Sequence, residues 1–297
     1  MRIGNLIEQH FHGAYGVDFS KATVDEVLLL TRKLKKDGIS GIFPTLVTDT
    51  VENTKKQIGV IKEAAKKQNG DGAKILGIHL EGIFLNPKKK GIHNPMLFLE
   101  PSIENFKRIA DDFIKIVTLA PELCKKAAKG GENLIAYLSN KGVKVQAGHC
   151  VGGDLTGCSG ATHLFNAMSG ISHRGKSTAL SALVNDNIYT EVIADGVHVS
   201  DDALKLIFRT KPIDKIILVS DCLPCTGSAL KEFEFAGSKI FYDGKKATSA
   251  DGTLAGSTTL LPQIIERLLK KKIINEAQAK QLIKNTYAYH NLPFPNK

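Results

Sequence analysis

The sequence contains no tryptophan, and phenylalanine, tyrosine and tryptophan together make up only 6% of its 297 residues. Proteins that bind single-stranded nucleic acid stack bases on aromatic side chains, so this scarcity argues against such a surface. No apolar run approaches the roughly 20 residues that span a bilayer, and the first residues lack the apolar segment of a secretory signal. We therefore expect a cytoplasmic protein with neither a nucleic acid nor a membrane as partner.

Cysteine is also sparse, with five residues at positions 124, 150, 158, 222 and 225. An odd, scattered set in a chain of this length does not form a disulfide framework, so we expect reduced thiols. Cys222 and Cys225 form a C-x-x-C pair, which elsewhere marks redox or zinc-ribbon sites. A second pair is missing from the sequence, so we interpret both as incidental loop cysteines whose thiols would make the site sensitive to oxidation.

Positive charge, by contrast, is in excess. Lysine and arginine total 40 against 30 aspartates and glutamates, which gives a formal net charge of +10. This balance favours an anionic partner. The lysine runs at 33–36 and 270–272 fall at the ends of predicted helices, where cations complement the helix dipole, so we assign them to solvated surface. With 42% apolar residues the chain has enough core for one large or two modest domains.

Short β-type segments alternate with amphipathic segments along the chain. The predicted strands are Leu6–Gly13, Gly41–Leu46, Ile75–Glu81, Ile114–Ala120, Val143–Cys150, Ala161–Phe165, Tyr189–Ala194 and Lys215–Asp221. The predicted helices are Thr23–Asp37, Val51–Lys67, Ile103–Asp112, Asn133–Asn140, Lys176–Val184 and Asp201–Arg209. This alternation predicts an α/β fold, a closed (β/α)8 TIM-like barrel with residues 1–297 as a single domain. An open, doubly wound sheet is the alternative, but no G-x-G-x-x-G loop follows the first strand.

Side chains that bind metals or move protons are concentrated at the carboxyl ends of these strands. They are His10, His12, His79, Glu81, His149, His163, His198 and Asp221. In a closed barrel the carboxyl ends of all strands meet at one mouth, where active sites of this fold assemble. Imidazole nitrogens and carboxylate oxygens with one open position suit a divalent metal such as Zn²⁺. A single histidine at a strand end is more often a structural or surface group than a ligand, but together these residues predict a metal site.

Seven motifs occur in an order that resembles one known family. They are His79-Leu-Glu-Gly82, Lys90-Gly-Ile-His-Asn-Pro95, Ala147-Gly-His149, Ala161-Thr-His-Leu-Phe-Asn-Ala-Met168, Ala194-Asp-Gly-Val-His198, Val219-Ser-Asp221 and Gly252-Thr-Leu-Ala-Gly-Ser257. Their order and spacing resemble those of the N-acetylglucosamine-6-phosphate deacetylases of the amidohydrolase superfamily. The resemblance implies an amino-sugar catabolic enzyme that hydrolyses the N-acetyl group of N-acetyl-D-glucosamine 6-phosphate to D-glucosamine 6-phosphate and acetate.

The resemblance also implies a role for each matching residue. Glu81, His149 and His163 would hold the catalytic metal, Asp221 would be the general base and acid, and His93 would help to polarise the amide carbonyl. The implied substrate contacts are Ile92, His93, Asn166, Ala167, Arg174, Asp195, His198, Leu254, Ala255, Gly256 and Ser257. A sugar phosphate would also explain the positive net charge. The resemblance further implies a homodimer in which subunit contacts reach the phosphate site.

The identity and number of the metal ions stay open. Zn²⁺ fits this donor set best, with Fe²⁺, Mn²⁺ and Co²⁺ as alternatives. In the wider superfamily an H-x-H motif on the first strand helps to hold a second metal. His10 and His12 therefore allow either two ions or one ion with two hydrogen-bonding neighbours. The chemistry agrees with the implied roles, because a metal makes water acidic and Asp221 beside it can accept a proton and return it to the leaving amine.

Two departures from the family pattern bear on function. Family members carry an accessory β-sandwich, which we expect to be absent here because few residues precede His10 or follow the last helix. Residues 152–160 are too few and too rich in glycine to form the helix that members have between His149 and His163. The alternative function is therefore a truncated, inactive or weakly active barrel that binds sugar phosphates without turnover. A binding module that needs no metal is a third possibility.

Overall fold

The computed structural model describes residues 3–124 and 131–295. The strands in these residues are β1 (Leu6–Glu8), β2 (Gly13–Ala14), β3 (Val17–Asp18), β4 (Ile39–Ile42), β5 (Thr45–Leu46), β6 (Lys74–Ile75), β7 (Ile78–Glu81), β8 (Ile114–Leu119), β9 (Lys144–Ala147), β10 (Gly160–Ala161), β11 (Tyr189–Ile193), β12 (Ile216–Val219), β13 (Glu232–Phe235), β14 (Ser238–Tyr242), β15 (Ala247–Ser249) and β16 (Leu254–Gly256). The helices are α1 (Val24–Lys36), α2 (Val51–Lys67), α3 (Ile103–Lys107), α4 (Leu134–Asn140), α5 (Thr178–Val184), α6 (Asp201–Thr210), α7 (Leu261–Lys270) and α8 (Glu276–Tyr289). Across these two ranges, no helix is both long and apolar enough to cross a bilayer.

Parallel pairing arranges ten of these strands into an eight-unit barrel, as predicted. One sheet has the order β1-β4-β6, and the other has the order β12-β11-β10-β9-β8-β7-β5. The barrel is divided into two sheets because its second unit is interrupted at Phe43 and Pro44, and its third at Leu76 and Gly77. Backbone hydrogen bonds continue across both interruptions, from the N–H of Leu76 to the carbonyl of Ile42 at 2.9 Å, for example.

The barrel closes between its last and first units just beyond β12 and β1. The backbone N–H of Asp221 donates to the carbonyl of His10 at 2.9 Å, and the N–H of His12 donates to the carbonyl of Cys222 at 2.9 Å. Backbone hydrogen bonds of this length hold two segments in a defined register. Closure of the barrel therefore fixes His10, His12 and Asp221 relative to one another through the main chain.

Local sequence explains why α1 forms where the periodicity predicts it. Thr23 caps the helix by accepting from the N–H of Glu26, and the Glu26 carboxylate accepts in return from the N–H of Thr23 at 2.8 Å. Val27, Thr31 and Leu34 recur at helical spacing in the sequence and are all buried, with Val27 and Leu34 in the core that surrounds the barrel. The helix therefore packs against the strands through the stripe that the sequence indicates.

Several predicted elements are shorter than their sequence patterns indicate, and the first strand ends at Glu8 rather than Gly13. The third helix ends at Lys107 rather than Asp112, because the Asp111 carboxylate accepts from the N–H of Phe113 at 2.8 Å and forms a turn that competes with the helix. The sixth barrel strand is only β10, so His163 lies two residues beyond its end.

Residues 151–159 form no helix, as predicted from their glycine content. Hydrogen bonds to neighbouring segments hold these residues in place instead. The Glu122 carboxylate accepts from the N–H of Val151 at 2.7 Å and from the side-chain amide of Asn86 at 2.8 Å. Further along, the N–H of Ser159 donates to the carbonyl of Val145 at 2.8 Å. These bonds tie the short connection to the neighbouring loops and to β9.

A four-stranded antiparallel sheet that the sequence analysis does not predict follows β12. Strands β13, β14, β15 and β16 pair in that order. Phe235, Ile240 and Ala247 form a small core between this sheet and the barrel, where Val47 and Ile92 contact them. This core holds β16 against the mouth of the barrel.

We predict that Gly148→Ala destabilises the fold, because an added Cβ would lie 2.6 Å from Cγ2 of Thr118 and 2.8 Å from Cβ of Thr162. Overpacking of this kind typically costs about 1–3 kcal/mol of unfolding free energy, which urea denaturation followed by circular dichroism measures. Gly59→Ala in α2 is the control, since no heavy atom lies within 4 Å of its Cβ position. Gly59→Ala should stabilise the helix by about 0.5–1 kcal/mol. Equal effects of the two changes on stability would contradict overpacking at Gly148.

Candidate metal centre and substrate cavity

The carboxylate of Glu81 stands at the centre of the histidines that the sequence analysis singled out. Its Oε2 lies 3.1 Å from Nε2 of His12 and 3.3 Å from Nε2 of His10. Its Oε1 lies 2.9 Å from Nε2 of His163 and 3.3 Å from Nε2 of His149. One oxygen thus faces each pair of imidazoles, so the carboxylate offers a separate oxygen donor beside each pair.

Asp221 and His93 complete this cluster. Oδ1 of Asp221 lies 3.1 Å from Nε2 of His12 and 3.6 Å from Nε2 of His10. Nε2 of His93 lies 3.7 Å from Oε2 of Glu81. The structure therefore brings together the residues that the resemblance implies as metal ligands, general base and amide donor. His79 and His198, which the strand-end pattern also singled out, contact other groups.

Hydrogen bonds at the other ring nitrogen orient three of the four histidines. Nδ1 of His149 lies 2.8 Å from the carbonyl of Lys89, Nδ1 of His12 lies 3.3 Å from the carbonyl of Thr45, and Nδ1 of His10 contacts a buried carboxylate. A carbonyl only accepts, so Nδ1 carries the proton of His149 and His12. Nε2 of each ring therefore faces the centre of the cluster, as metal ligation requires.

The charges in the cluster offset one another. Burial raises the pKa of Glu81 and Asp221, but His10 and His12 outweigh burial and leave both pKa values below their ordinary range. Burial alone would lower the pKa of His12, yet Asp221 and Glu81 raise it to about 9. Carboxylates likewise overcome burial and hold the pKa of His10 well above its usual value. The carboxylates thus favour positive charge on these two imidazoles, at the place where a divalent ion would supply it.

The donor set fits a divalent metal. The side-chain oxygens and nitrogens of His10, His12, Glu81 and Asp221 that could ligate lie within 4.8 Å of one another, and all four residues are buried. Nε2 of His10 and Oδ1 of Asp221 are buried atoms without a hydrogen-bond partner among the described residues. Buried polar atoms normally have partners, so these two indicate a ligand position.

Three site residues at the barrel mouth have strained backbone conformations. His149, His163 and Asp221 have φ values of 49°, 29° and 52°, which lie in the left-handed region that L-residues rarely adopt. Each follows the end of a barrel strand, at β9, β10 and β12 respectively. Strain of this kind persists where the surrounding structure enforces it and is common at functional sites.

The cluster opens into a cavity of about 620 Å³ at the barrel mouth. The predicted site residues that line it are His12, Glu81, Ile92, His93, His149, His163, Asn166, Ala167, His198, Asp221, Leu254, Ala255 and Gly256. Lys88, Lys89 and Lys90 also line it, so its rim is positively charged. A cavity of this size suits a small molecule with an anionic group.

Three predicted substrate contacts lie outside this lining. Asp195 instead accepts from Nδ1 of His198 at 2.8 Å and orients that ring. Ser257 is buried, and its N–H donates to the carbonyl of Asp221 at 2.8 Å. Arg174 is exposed on the loop before α5, where its Nε donates to Nε2 of His173 at 3.1 Å. Asp195 and Ser257 therefore support site residues, whereas Arg174 points to no group of this cavity.

His79 and the two loop cysteines do not line the cavity, although the ring of His79 packs edge-on against that of His10 with centroids 4.6 Å apart. Nε2 of His79 lies 2.8 Å from Oγ1 of Thr118 in the barrel interior, and burial lowers the pKa of His79 to about 3. Cys222 and Cys225 are fully buried, and burial raises the pKa of both thiols, to about 11 for Cys225. The thiolate is the reactive form of cysteine, so the burial and raised pKa of these thiols argue against easy oxidation.

Comparison with known proteins identifies the family. The chain is 33% identical over 289 residues to the N-acetylglucosamine-6-phosphate deacetylase of Rattus norvegicus, and the match covers 89% of this chain and 68% of the relative. The chain belongs to the N-acetylglucosamine-6-phosphate deacetylase family. The family member from Bacillus subtilis (strain 168) is 35% identical over 265 residues, covering 85% of this chain and 65% of that protein. No family model matches the chain.

A solved structure of the same family has a similar fold. The Mycobacterium smegmatis deacetylase, a variant in complex with N-acetyl-D-glucosamine-6-phosphate, matches with a TM-score of 0.87 and 28% sequence identity. That match covers 98% of this chain and 78% of the other. The chain spans about two thirds of the length of the curated family members that it matches.

Some residues that shape this family member's site were missed by the sequence analysis. Thr48 contacts His93, Glu191 contacts His10, and Lys88 and Lys89 line the cavity. A charged residue inside the strand Tyr189–Ile193 is a signal that could have identified Glu191. Thr48 carries no such signal, because hydroxyls are common at the ends of strands.

We predict that Zn²⁺ stabilises the chelator-treated protein, because an ion shared by residues from several strands couples binding to folding. At about 100 times its Kd, Zn²⁺ should add about 2.7 kcal/mol, which a rise in Tm reports. His163→Ala and Glu81→Ala should abolish most of the rise. His173→Ala, an exposed histidine outside the cluster, should keep it. A wild-type Tm that does not respond to Zn²⁺ would argue for a barrel without a functional metal site.

Proposed function

We propose that this protein hydrolyses the N-acetyl group of N-acetyl-D-glucosamine 6-phosphate to D-glucosamine 6-phosphate and acetate. The observation that carries the proposal is the convergence of Glu81, His149 and His163 with Asp221 in one cavity whose rim bears lysines. The Bacillus subtilis and Rattus norvegicus relatives are named for this deacetylation. Every residue that the proposal uses lies in the barrel or in its antiparallel sheet.

The proposed ligands of the catalytic metal are Glu81, His149 and His163. His10 and His12, with Asp221, form the proposed position for a second ion on the Oε2 side of Glu81. We propose Zn²⁺, with Fe²⁺, Mn²⁺ and Co²⁺ as alternatives that suit the same nitrogen and oxygen donors. When bound, the metal lowers the pKa of water and places positive charge beside the amide oxygen.

Asp221 is the proposed general base and acid. Its pKa is held below the ordinary value, so the carboxylate is ionised at neutral pH and can accept a proton from the attacking water. Water adds to the amide carbonyl carbon, and the C–N bond then breaks. Asp221 gives the proton to the departing nitrogen, which leaves as the amine of glucosamine 6-phosphate while acetate is released.

His93 is suited to donate a hydrogen bond to the amide oxygen. Burial, together with the neighbouring His149, lowers the pKa of His93 well below its usual range, so the ring is neutral. Oγ1 of Thr48 accepts a hydrogen bond from the N–H of Ile83 at 2.9 Å. The same oxygen lies 3.0 Å from Nδ1 of His93, so the hydroxyl proton of Thr48 is directed at that nitrogen. Nδ1 thus accepts, and the single ring proton lies on Nε2, which faces the cluster.

The phosphate of the proposed substrate is matched by positive charge at the rim. Lys88, Lys89 and Lys90 line one side of the cavity, and His198 lines it as well. Burial opposes a charge on His198, but its hydrogen bond to Asp195 raises the pKa above the ordinary value. A protonated imidazole and lysines attract a phosphate through charge-assisted contacts.

We also propose a homodimer in which Arg174 serves the partner subunit's cavity. Arg174 is exposed and lies outside the cavity lining of its own chain. The neighbouring Ile171 is 53% exposed, and a second copy of the chain would cover it in this arrangement. A planar guanidinium from the partner would bind the phosphate with two parallel hydrogen bonds.

Asp221→Asn should lower kcat for acetate release by at least 100-fold while KM changes little, because the isosteric amide cannot accept a proton. The assay is acetate release from N-acetylglucosamine 6-phosphate by zinc-loaded protein. Asp202→Asn, a change at an exposed position of α6, is the control and should retain wild-type kcat. An unchanged kcat in Asp221→Asn would remove this residue from catalysis. Zinc-loaded wild-type protein that binds the sugar phosphate without releasing acetate would favour the inactive barrel.

Arg174→Ala should raise KM for the 6-phosphate far more than KM for unphosphorylated N-acetylglucosamine, because only the former loses a charge-assisted contact. Mixing Arg174→Ala subunits with Asp221→Asn subunits should restore a low KM, since each mixed dimer then has one site with Asp221 of its own chain and Arg174 of the other. A mixture that keeps the high KM would place Arg174 in its own subunit's site or in neither.

A further inference from the structure

Glu191 is a buried carboxylate behind the metal-ligand cluster that none of the proposed steps uses. It lies in β11 and is only 1% exposed. Its Oε2 is 2.8 Å from Nδ1 of His10, and its Oε1 accepts from the side-chain amide of Gln9 at 2.6 Å. The backbone N–H of His163 also donates to Oε2, at 3.4 Å. One carboxylate therefore contacts the ring of one proposed ligand and the main chain of another.

A second histidine holds this arrangement from outside the cluster. Nε2 of His290, at the end of α8, lies 2.9 Å from Oε1 of Gln9. Burial lowers the pKa of His290 to about 3, so its ring is neutral, and it stacks on Phe43 with ring centroids 4.2 Å apart. With its Oε1 directed at His290, Gln9 presents its amide N–H groups to Glu191. The orientation of Glu191 is thus determined independently of His10.

We propose that Glu191 is a positioning residue that accepts the Nδ1 proton of His10 and thereby presents Nε2 of His10 to the metal. The inference rests on the proposed metal site. Nε2 of His10 lies 3.3 Å from Oε2 of Glu81 and 3.6 Å from Oδ1 of Asp221, so it faces the second-ion position. A carboxylate behind a ligating histidine fixes its tautomer and orientation and increases its basicity.

The surroundings of Glu191 favour this role over a purely structural one. A buried carboxylate destabilises a fold unless it is paired, and hydrophobic residues of similar volume often replace such pairs without loss. Its carboxylate hydrogen-bonds to Gln9, His10 and the main chain of His163, and no lysine or arginine among the described residues contacts it. His79 also lies close to Glu191, but its two ring nitrogens contact the carbonyl of Gln9 and the hydroxyl of Thr118. The ring that hydrogen-bonds to Glu191 and benefits from a negative acceptor is therefore that of His10.

Chelator competition with Zn²⁺ as the probe tests this role in the full chain. Glu191→Gln keeps the shape of the side chain but removes its charge, and it should weaken the affinity of the zinc held by His10 by about 10- to 100-fold. In a His10→Asn background the same change should weaken zinc binding less than about twofold, because the ring that Glu191 orients is gone. Equal weakening in both backgrounds, or no weakening in either, would overturn the proposal.

A matched control lies next to Glu191 in the same strand. The hydroxyl of Thr190 is buried and has no hydrogen-bond partner among the described residues, so Thr190→Val should leave zinc affinity unchanged. Loss of affinity in Thr190→Val equal to that in Glu191→Gln would mean that β11 is merely sensitive to change, which contradicts a specific role.

The gain in Tm on adding Zn²⁺ gives a second readout. It should shrink in Glu191→Gln, whereas a structural role would lower Tm equally with and without zinc. Wild-type protein that binds no zinc overturns both this inference and the proposed function. If the wild-type protein and Glu191→Gln bind zinc equally tightly, this inference is overturned and the proposed function is not.

Discussion

The site depends on burying the carboxylate of Glu81 among imidazoles. A buried carboxylate is costly unless charge and hydrogen bonds compensate for it. Four imidazole nitrogens, from residues that follow β1, β9 and β10, approach its two oxygens within 3.3 Å. Because these residues come from different strands, the compensation exists only in the closed barrel. Folding and assembly of the site are therefore one event.

Bringing these side chains together requires strained backbone conformations. His149, His163 and Asp221 adopt left-handed backbone conformations directly after their strands. A regular strand would continue past the mouth, whereas the positive φ turns each side chain inward. Gly148 allows Thr118 and Thr162 to approach β9 closely beside the first of these turns. The barrel strands thus hold these three residues in conformations that they would rarely adopt alone.

Elements outside the barrel adapt the mouth for a ligand. The antiparallel sheet places β16 along one wall of the cavity, and the lysine rim at 88–90 forms another. The carbonyl of Lys89 also accepts from Nδ1 of His149, so one segment contributes both charge and ligand orientation. Glu122 ties down the connection between β9 and β10, where a helix is missing. The proposed ligands His149 and His163 therefore meet, with Nε2 atoms 3.1 Å apart, even though their connection has little packing of its own.

The sequence by itself determined the alternating units, the core face of α1 and the positions of the candidate metal-binding side chains at strand ends, because these features follow from local patterns. The proposed roles of Glu81, His93 and Asp221 came from motif resemblance. Only the tertiary structure decided which oxygen of Glu81 faces which histidines, and only it revealed the sheet formed by residues 232–256. It also brought Glu191 to His10, across 181 residues of chain. Contacts of this kind depend on barrel closure, which no local pattern of residues specifies.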